Sequence, residues 1–242
     1  MLSTPQISIV VPAYNEEKYL GPTLSAISAA VTEYVGAYPH DGVEIVVVDD
    51  VSTDRTADIA AAHGCRVVSG NHSGIGAARN LGAKSARGEL LVFVDADTRV
   101  PPALLRRLVT AVDMGIRAGA VAPHYTSERI AIRALLALWR WYAPRFKVAQ
   151  GVCQFFETSA FETLGGYDES KMMAEDTDLY RRAHREFPGA ATMITDISVF
   201  PSTRRYDQWP TWKVVFYTNP LTSALALESK RLWRAWYANP VR

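Results

Sequence analysis

Leu90-Leu91-Val92-Phe93-Val94-Asp95-Ala96-Asp97 is the stretch on which the reading of this chain turns. Five consecutive apolar residues, Val and Phe among them, predict a strand buried on both faces. The run ends in two carboxylates one residue apart. On an extended backbone Asp95 and Asp97 point to the same side. Two carboxylates that close need a cation, a proton or a basic partner to offset them. One reading is a divalent metal held at the carboxyl end of a strand, beside a phosphate-bearing substrate. The other is a polar turn where the strand exits, with Asp97 capping the next turn. The rest of the chain decides between them.

Working outward, apolar strands recur before this one. Ile7-Ser8-Ile9-Val10-Val11-Pro12 predicts the first, followed by the loop Tyr14-Asn15-Glu16-Glu17. A helix is expected from about Glu17 to Tyr34, because Leu20, Leu24, Ile27, Val31 and Tyr34 form one stripe. Val43 to Val48 is the second strand, with Asp49-Asp50 at its end. Ser52-Thr53-Asp54 can cap a helix that ends at Gly64. Arg66 to Val68 is a third strand, and a helix is expected from Gly74 to about Ala86. Alternating strands and helices with continuous apolar strands predict an α/β fold: a mostly parallel, Rossmann-like sheet with helices on both faces. Ligands in such sheets bind beyond the carboxyl ends of the strands. Acidic or polar residues stand at or near three of those ends, which favours the metal-and-phosphate reading.

The 242 residues suit one large domain, or one domain with a modest extension. A formal net charge of +1 excludes a strong global field for nucleic acid. Cys65 and Cys153 form no disulfide framework or zinc motif, so a reducing cytoplasm is expected. No stretch of about 18 apolar residues predicts a spanning helix.

The second half is less regular. Pro101-Pro102 favours a helix start with a face of Leu104, Leu105, Leu108 and Val112. Strands are expected over Gly119 to Pro123, Val152 to Phe156 and Ala191 to Phe200. Between the first two, Glu128 to Tyr142 is a basic, aromatic amphipathic segment. It either lies on an anionic membrane surface or packs on the sheet. Glu175-Asp176-Thr177-Asp178 opens a helix. Its acids either compensate the helix dipole or supply a general base. Ser202-Thr203-Arg204-Arg205-Tyr206 is expected as a basic loop. Beyond it lies an aromatic tail, broken near Asn219-Pro220, with Trp209, Trp212, Phe216, Tyr217, Trp233, Trp236 and Tyr237 near Lys213, Lys230, Arg231 and Arg234. The tail suggests an interface with acceptor, membrane or a second copy, or a cover for one end of the sheet.

Five pieces in order resemble the family 2 glycosyltransferases of the GT-A fold. They are Val11-Pro12-Ala13-Tyr14-Asn15-Glu16-Glu17, Val47-Val48-Asp49-Asp50-Val51-Ser52-Thr53-Asp54 and Gly76-Ala77-Ala78-Arg79-Asn80, then Phe93-Val94-Asp95-Ala96-Asp97, and finally Leu164-Gly165-Gly166-Tyr167-Asp168-Glu169 with Glu175-Asp176-Thr177-Asp178-Leu179. The resemblance implies an inverting, metal-dependent enzyme that moves a sugar from a UDP- or GDP-linked donor to a hydroxyl or phosphate acceptor. Residues 1–100 would form the nucleotide-sugar half and 101–205 the acceptor and catalytic half. Residues 206–242 would be the aromatic-rich, acceptor-side extension. Carried over, Pro12 and Tyr14 resemble the wall around base and ribose. Glu16 resembles a ribose or base contact, and Asp50 the acid that binds the base, with Asp49 orienting its loop. Arg79 resembles a contact near base or diphosphate. Asp95 and Asp97 resemble the family's D-x-D motif. Asp97 would bind Mn²⁺ or Mg²⁺, and Asp95 would stand nearer the ribose. Asp176 resembles the general base, and Arg204 and Arg205 resemble basic residues that close over phosphates.

The chemistry agrees. A diphosphate leaving group concentrates negative charge that a hard cation with oxygen ligands stabilises. A carboxylate across the anomeric carbon can take the acceptor's proton. Where the family often has Gly, this chain has Val51, which disfavours a positive-φ turn and predicts a different local loop. The Gln-x-x-Arg-Trp signature of processive synthases is absent. Three alternatives stay open: a polyprenyl-phosphate glycosyltransferase at the membrane surface, a nucleotidyltransferase, and a non-catalytic nucleotide-sugar-binding module. Peripheral contact at the inner face of the membrane and homo-oligomers stay open as well.

Overall fold

The computed structural model describes residues 6–171 and 173–218. The elements run β1 (Ile7–Ala13), α1 (Leu20–Ala37), β2 (Val43–Asp49), α2 (Thr56–Ala62), β3 (Arg66–Ser69), α3 (Ile75–Ser85) and β4 (Leu90–Val94). They continue with β5 (Thr98–Arg99), α4 (Leu104–Asp113), β6 (Ala118–Pro123), α5 (Ile130–Arg145), β7 (Cys153–Glu157) and α6 (Thr158–Thr163). The last are α7 (Glu175–Glu186), β8 (Ala191–Pro201), α8 (Arg204–Gln208) and α9 (Thr211–Thr218).

The strands form one sheet in the order β3-β2-β1-β4-β7-β6-β8-β5. The first four are parallel. β7 runs antiparallel to β4 and to β6, β8 returns parallel to β6, and the short β5 caps the far edge antiparallel to β8. The chain winds outward from β1 to β3, then restarts on the other side with β4. The switch point therefore lies between the carboxyl ends of β1 and β4, the place where open α/β sheets bind ligands.

Alternation along the strands accounts for the layers. Ile7, Ile9 and Val11 of β1, with Leu90, Val92 and Val94 of β4, pack against Leu20, Leu24 and Ile27 of α1 and Leu104 and Leu108 of α4. Val10, Leu91 and Phe93 face the other way, toward Ala78 of α3, Phe161 of α6 and Leu179 of α7. Every residue of β1 and β4 is buried, as expected for strands covered on both sides. Gly82 allows α3 its close approach. A Cβ there would run into Val10 and lie 3.0 Å from Cγ2 of Val48.

Several expectations need correction. Residues 95–97 are not extended: Thr98 N–H donates to the Asp95 carbonyl at 3.0 Å, closing a turn, so the two carboxylates take different partners. α1 begins at Leu20, because the residues before it are drawn toward the loop after β2. Glu16 N–H donates to Thr56 Oγ1 at 2.8 Å and Glu17 N–H to Asp54 Oδ2 at 3.2 Å. Ser52 serves that same loop, accepting from Asn15 N–H at 2.9 Å, while Asp54 does meet the start of α2, its Oδ1 accepting Thr56 N–H at 3.0 Å. Val51 does adopt the positive φ it was expected to avoid, at 67°, with a side chain 52% exposed. The expected loop over residues 202–206 turns into α8 at Arg204. β5 and α6 are too short to show a period. Of the aromatic tail, Trp209 is buried and Trp212 exposed. The break at Asn219-Pro220, the aromatics Trp233, Trp236 and Tyr237, and the cations Lys230, Arg231 and Arg234 lie outside the described residues. Among the described residues, no helix is long and apolar enough to cross a membrane.

Candidate active site

The loops after β1 and β2 meet at one end of the switch point. Pro12 is buried at the end of β1, paired in register with Val48. Tyr14 stands beyond it with its ring 4.7 Å from the ring of His72. Asp50 is 7% exposed, and its Oδ1 accepts the backbone N–H of His72 at 2.8 Å. Asp49 Oδ1 accepts Ser52 N–H at 3.3 Å, which ties it to the loop that follows β2. Asn15 Oδ1 accepts Thr53 N–H at 2.7 Å and fastens the two loops together. Asn15, Val51 and His72 all have positive φ. Non-glycine residues in that region store strain, which a site persists in only when its surroundings over-determine it.

The turn after β4 sends its acids in two directions. Asp95 meets Arg79, whose Nη2 donates to Asp95 Oδ1 at 2.8 Å. The Nη1 of the same guanidinium donates to Glu175 Oε1 at 2.8 Å, and Nη2 also reaches the Gly151 carbonyl at 3.2 Å. Arg79 is 2% exposed and lies over the Tyr167 ring, 5.2 Å from its centroid. It therefore fixes α3, the acidic turn and α7 to one another, rather than opening onto the cleft as a base or diphosphate contact would.

Asp97 takes a different cation. β5 follows it at once and pairs Thr98 with Pro201, while Ser202 N–H donates to the Asp97 carbonyl at 3.0 Å. The start of α8 is thereby held beside the acidic turn. Arg204 grips Glu16 with two arms, at 2.7 and 2.6 Å, and its Nη2 lies 3.1 Å from Asp97 Oδ2. Its guanidinium stands 4.5 Å over the Tyr19 ring. Burial pushes the Asp97 carboxyl up to about 7. Arg204 pulls against that rise, Asp95 and Glu16 add to it, and Arg205 pulls the other way from nearby.

The acids that open α7 divide their roles. Glu175 is 5% exposed and committed to Arg79. Asp176 is only partly buried. Its Oδ2 accepts Gly151 N–H at 2.5 Å and its Oδ1 accepts its neighbour Thr177 N–H at 2.5 Å. Those bonds aim the carboxylate and leave each oxygen a further lone pair. Burial, with Asp176 beside it, holds Glu175 up to about 7 against the pull of Arg79. Asp176 is raised by burial as well, while Arg79 and the two N–H donors oppose the rise. One guanidinium among three carboxylates leaves excess negative charge, and a proton kept on the Glu175–Asp176 pair lowers it. Pattern reasoning did not find Gly151, Gln154 or Tyr167. Gln154 Nε2 donates to the Asp176 carbonyl at 3.1 Å, and its Oε1 accepts from the Tyr167 hydroxyl at 2.8 Å. Only a buried Gln in an otherwise apolar strand hinted at that role.

Among the described residues, no three His, Cys, Asp or Glu side chains gather into a ready-made metal cage. What the site offers is hard oxygen: Asp97 and Glu16, both already drawn to one cation, Arg204. Such a donor set fits a Mg²⁺ or Mn²⁺ ion held through one or two carboxylates and shared with substrate phosphates.

The family described as "Glycosyl transferase family 2" matches residues 8–163. The chain is 29% identical over 238 residues to "Probable glycosyltransferase YdaM" of Bacillus subtilis, a match covering 88% of this chain and 53% of that protein. The chain spans about half or less of the length of the first curated relatives it matches. Among solved structures, TarS 1-349 of S. aureus in complex with UDP superposes with a TM-score of 0.65 at 19% identity, covering 97% of this chain and 78% of that one. The mannosyltransferase PcManGT of Pyrobaculum calidifontis, in complex with GDP-Man and Mn²⁺, superposes with a TM-score of 0.67 at 23% identity, covering 82% and 57%. At those identities the likeness is one of fold, and it places this chain among the GT-A structures.

Proposed function

The chain belongs to glycosyl transferase family 2, and from that premise we propose that it moves a sugar from a UDP- or GDP-linked donor to a hydroxyl or phosphate acceptor by direct displacement. One observation carries the reading. The loops bearing Asp50 and Tyr14, the turn bearing Asp97, and the start of α7 bearing Asp176 converge at the switch point of the sheet. Pro12, Tyr14 and Asp50 would receive the nucleoside, with the rigid loop around Asn15 setting their spacing. Asp97, with Glu16 beside it, would hold Mn²⁺ or Mg²⁺, which when bound stabilises the charge of the departing diphosphate. Arg204 and Arg205 would turn from the acids toward the phosphates. Asp95 would act from behind, oriented by Arg79. Asp176, aimed by Gly151 and Thr177, would take the proton of the acceptor.

Residues 1–100 then serve the donor, 101–205 the acceptor and the chemistry, and 206–242 an acceptor-side extension. A UDP complex in one structural relative and a GDP-Man and Mn²⁺ complex in another support a nucleotide sugar and a divalent cation as ligands. The expected cytoplasmic setting rests on the cysteine usage, with Cys65 and Cys153 both free.

Calorimetric titration of UDP and GDP, with and without Mn²⁺, tests the donor side. Asp97→Ala should abolish the metal-dependent part of binding, and unchanged binding would remove Asp97 as the ligand. Asp176→Asn should keep donor affinity within a few-fold while sugar release, to water or acceptor, falls by roughly 10²–10⁴. Normal turnover in that variant would remove Asp176 as the base.

A further inference from the structure

The helix α5 is apolar on two faces. Its inner face is conventional: Ile132 and Leu135 are buried and pack with Trp209 and Val214. Its outer face is not. A helix that already buries one apolar stripe should show polar residues opposite it. Here Ile130, Ala134, Ala137, Leu138 and Trp141 share the outward arc, at spacings of three and four. Ile130 is 82% exposed, Leu138 43% and Trp141 51%, and Phe146 just beyond the helix is 50% exposed. Arg133 and Arg140, seven residues apart, line one edge of this arc, and Arg145 stands toward the other. The Arg145 guanidinium lies 4.7 Å over the Trp141 ring. From Ile130 to Lys147 the chain has four cations and no acidic residue.

We propose that the outward face of α5 docks on an anionic phospholipid bilayer, with Leu138 and Trp141 entering the headgroup boundary and the arginines meeting lipid phosphates. An apolar arc flanked by arginines, with no acid to repel phosphate, fits such a surface in both polarity and charge. A helix lying in the interface needs no spanning length, in keeping with the absence of a membrane-crossing helix among the described residues. The docked helix carries the active site with it. At the α5 N-terminus, Arg129 Nη1 holds the carbonyls of Tyr206 and Trp209, at 2.5 and 2.7 Å, in the segment that bears Arg204. This inference does not depend on the donor reading, because bilayer binding is measured without nucleotide.

The test is flotation of the 242-residue chain with vesicles of phosphatidylcholine alone and with phosphatidylglycerol added. The chain should float with the anionic vesicles and not the neutral ones, and binding should weaken as salt is raised. Leu138→Ser with Trp141→Ser should lower partitioning about tenfold or more. Ala134→Asp with Ala137→Asp should do the same, which separates docking from folding because both alanines are exposed. Circular dichroism should show each variant folded. Three results would overturn the proposal: no flotation with anionic vesicles, equal flotation of both variants and the parent, or a dimer in sedimentation velocity that the same substitutions dissolve.

Discussion

Two arginines hold the acids of this site, and they do so in opposite ways. Arg79 is built into the interior, with separate arms to Asp95 and Glu175, a carbonyl from Gly151 and an aromatic ring beneath it. Arg204 stands on a five-residue helix near the mouth of the site, its side chain 12% exposed, gripping Glu16 and touching Asp97. Removing the first strands Glu175, whose side chain is 7% exposed, away from water. Removing the second leaves Glu16 and Asp97, 16% and 19% exposed, which a bound cation can serve. Burial thus separates a fixed counter-charge, which sets the shape of the site, from an exchangeable one, which a substrate complex can displace.

The largest expected effect breaks that symmetry outright. Arg79→Met should cost about 3–5 kcal/mol in urea unfolding, because it leaves the buried Glu175 carboxylate without its cation. Arg204→Met should cost less, about 1–3 kcal/mol, because Glu16 and Asp97, at 16% and 19% side-chain exposure, keep more contact with water than Glu175 at 7%, and its main effect should fall on nucleotide affinity. Equal losses in the two variants would end the distinction. A smaller effect should appear in the pH dependence of the Arg79 cluster. Glu175 is held up to about 7, whereas an unfolded glutamate titrates at about 4.3. As pH rises between those values the unfolded chain releases its proton first, so stability from this group is complete below about 4.3 and is lost through 7. Thermal melts from about pH 4 to 8 should fall less steeply for Glu175→Gln than for the parent; parallel profiles would show that the retained proton lies elsewhere. The smallest effect concerns backbone strain beside Asp50. Val51→Gly should raise stability by about 1 kcal/mol or less, because relief of a β-branched residue at positive φ outweighs the entropy of glycine. A loss there would mean that the Val51 side chain supports the loop after β2.

How far the residues announced this arrangement depends on range. The strands of the first half, their acidic ends and the order of the motifs were legible, because each rests on local periodicity or a short run. The turn bearing Asp97 and the helix start bearing Asp176 could be located from those runs alone. The geometry of the acidic turn was not legible, since an extended strand and a turn share the spelling Asp-Ala-Asp. Nor was the role of Arg79, an ordinary helical cation until α7 packs on it from nearly a hundred positions away. The pairing of β5 with β8 and the shortness of α8 carry no period to read. At Val51 tertiary contacts through Asn15, Ser52 and Thr53 override the local preference.

The pairing of β5 with β8 also sets an order of events in time. β1 to β4 can pair as they leave the ribosome, each with a neighbour already made. The acidic turn cannot be completed then, because its flanking strand waits for Pro201 and its second cation for Arg204. That is about 100 residues later, roughly five to twenty seconds of synthesis. Through that interval the nascent chain carries Asp97 and Glu16 with no Arg204 to meet them, and a nucleotide or metal ion would find an unfinished turn. The acidic turn is complete only when nearly all of the described chain has been made, so a fragment that ends before β8 would carry all five pieces that resemble the family and lack the clasp that holds Asp97.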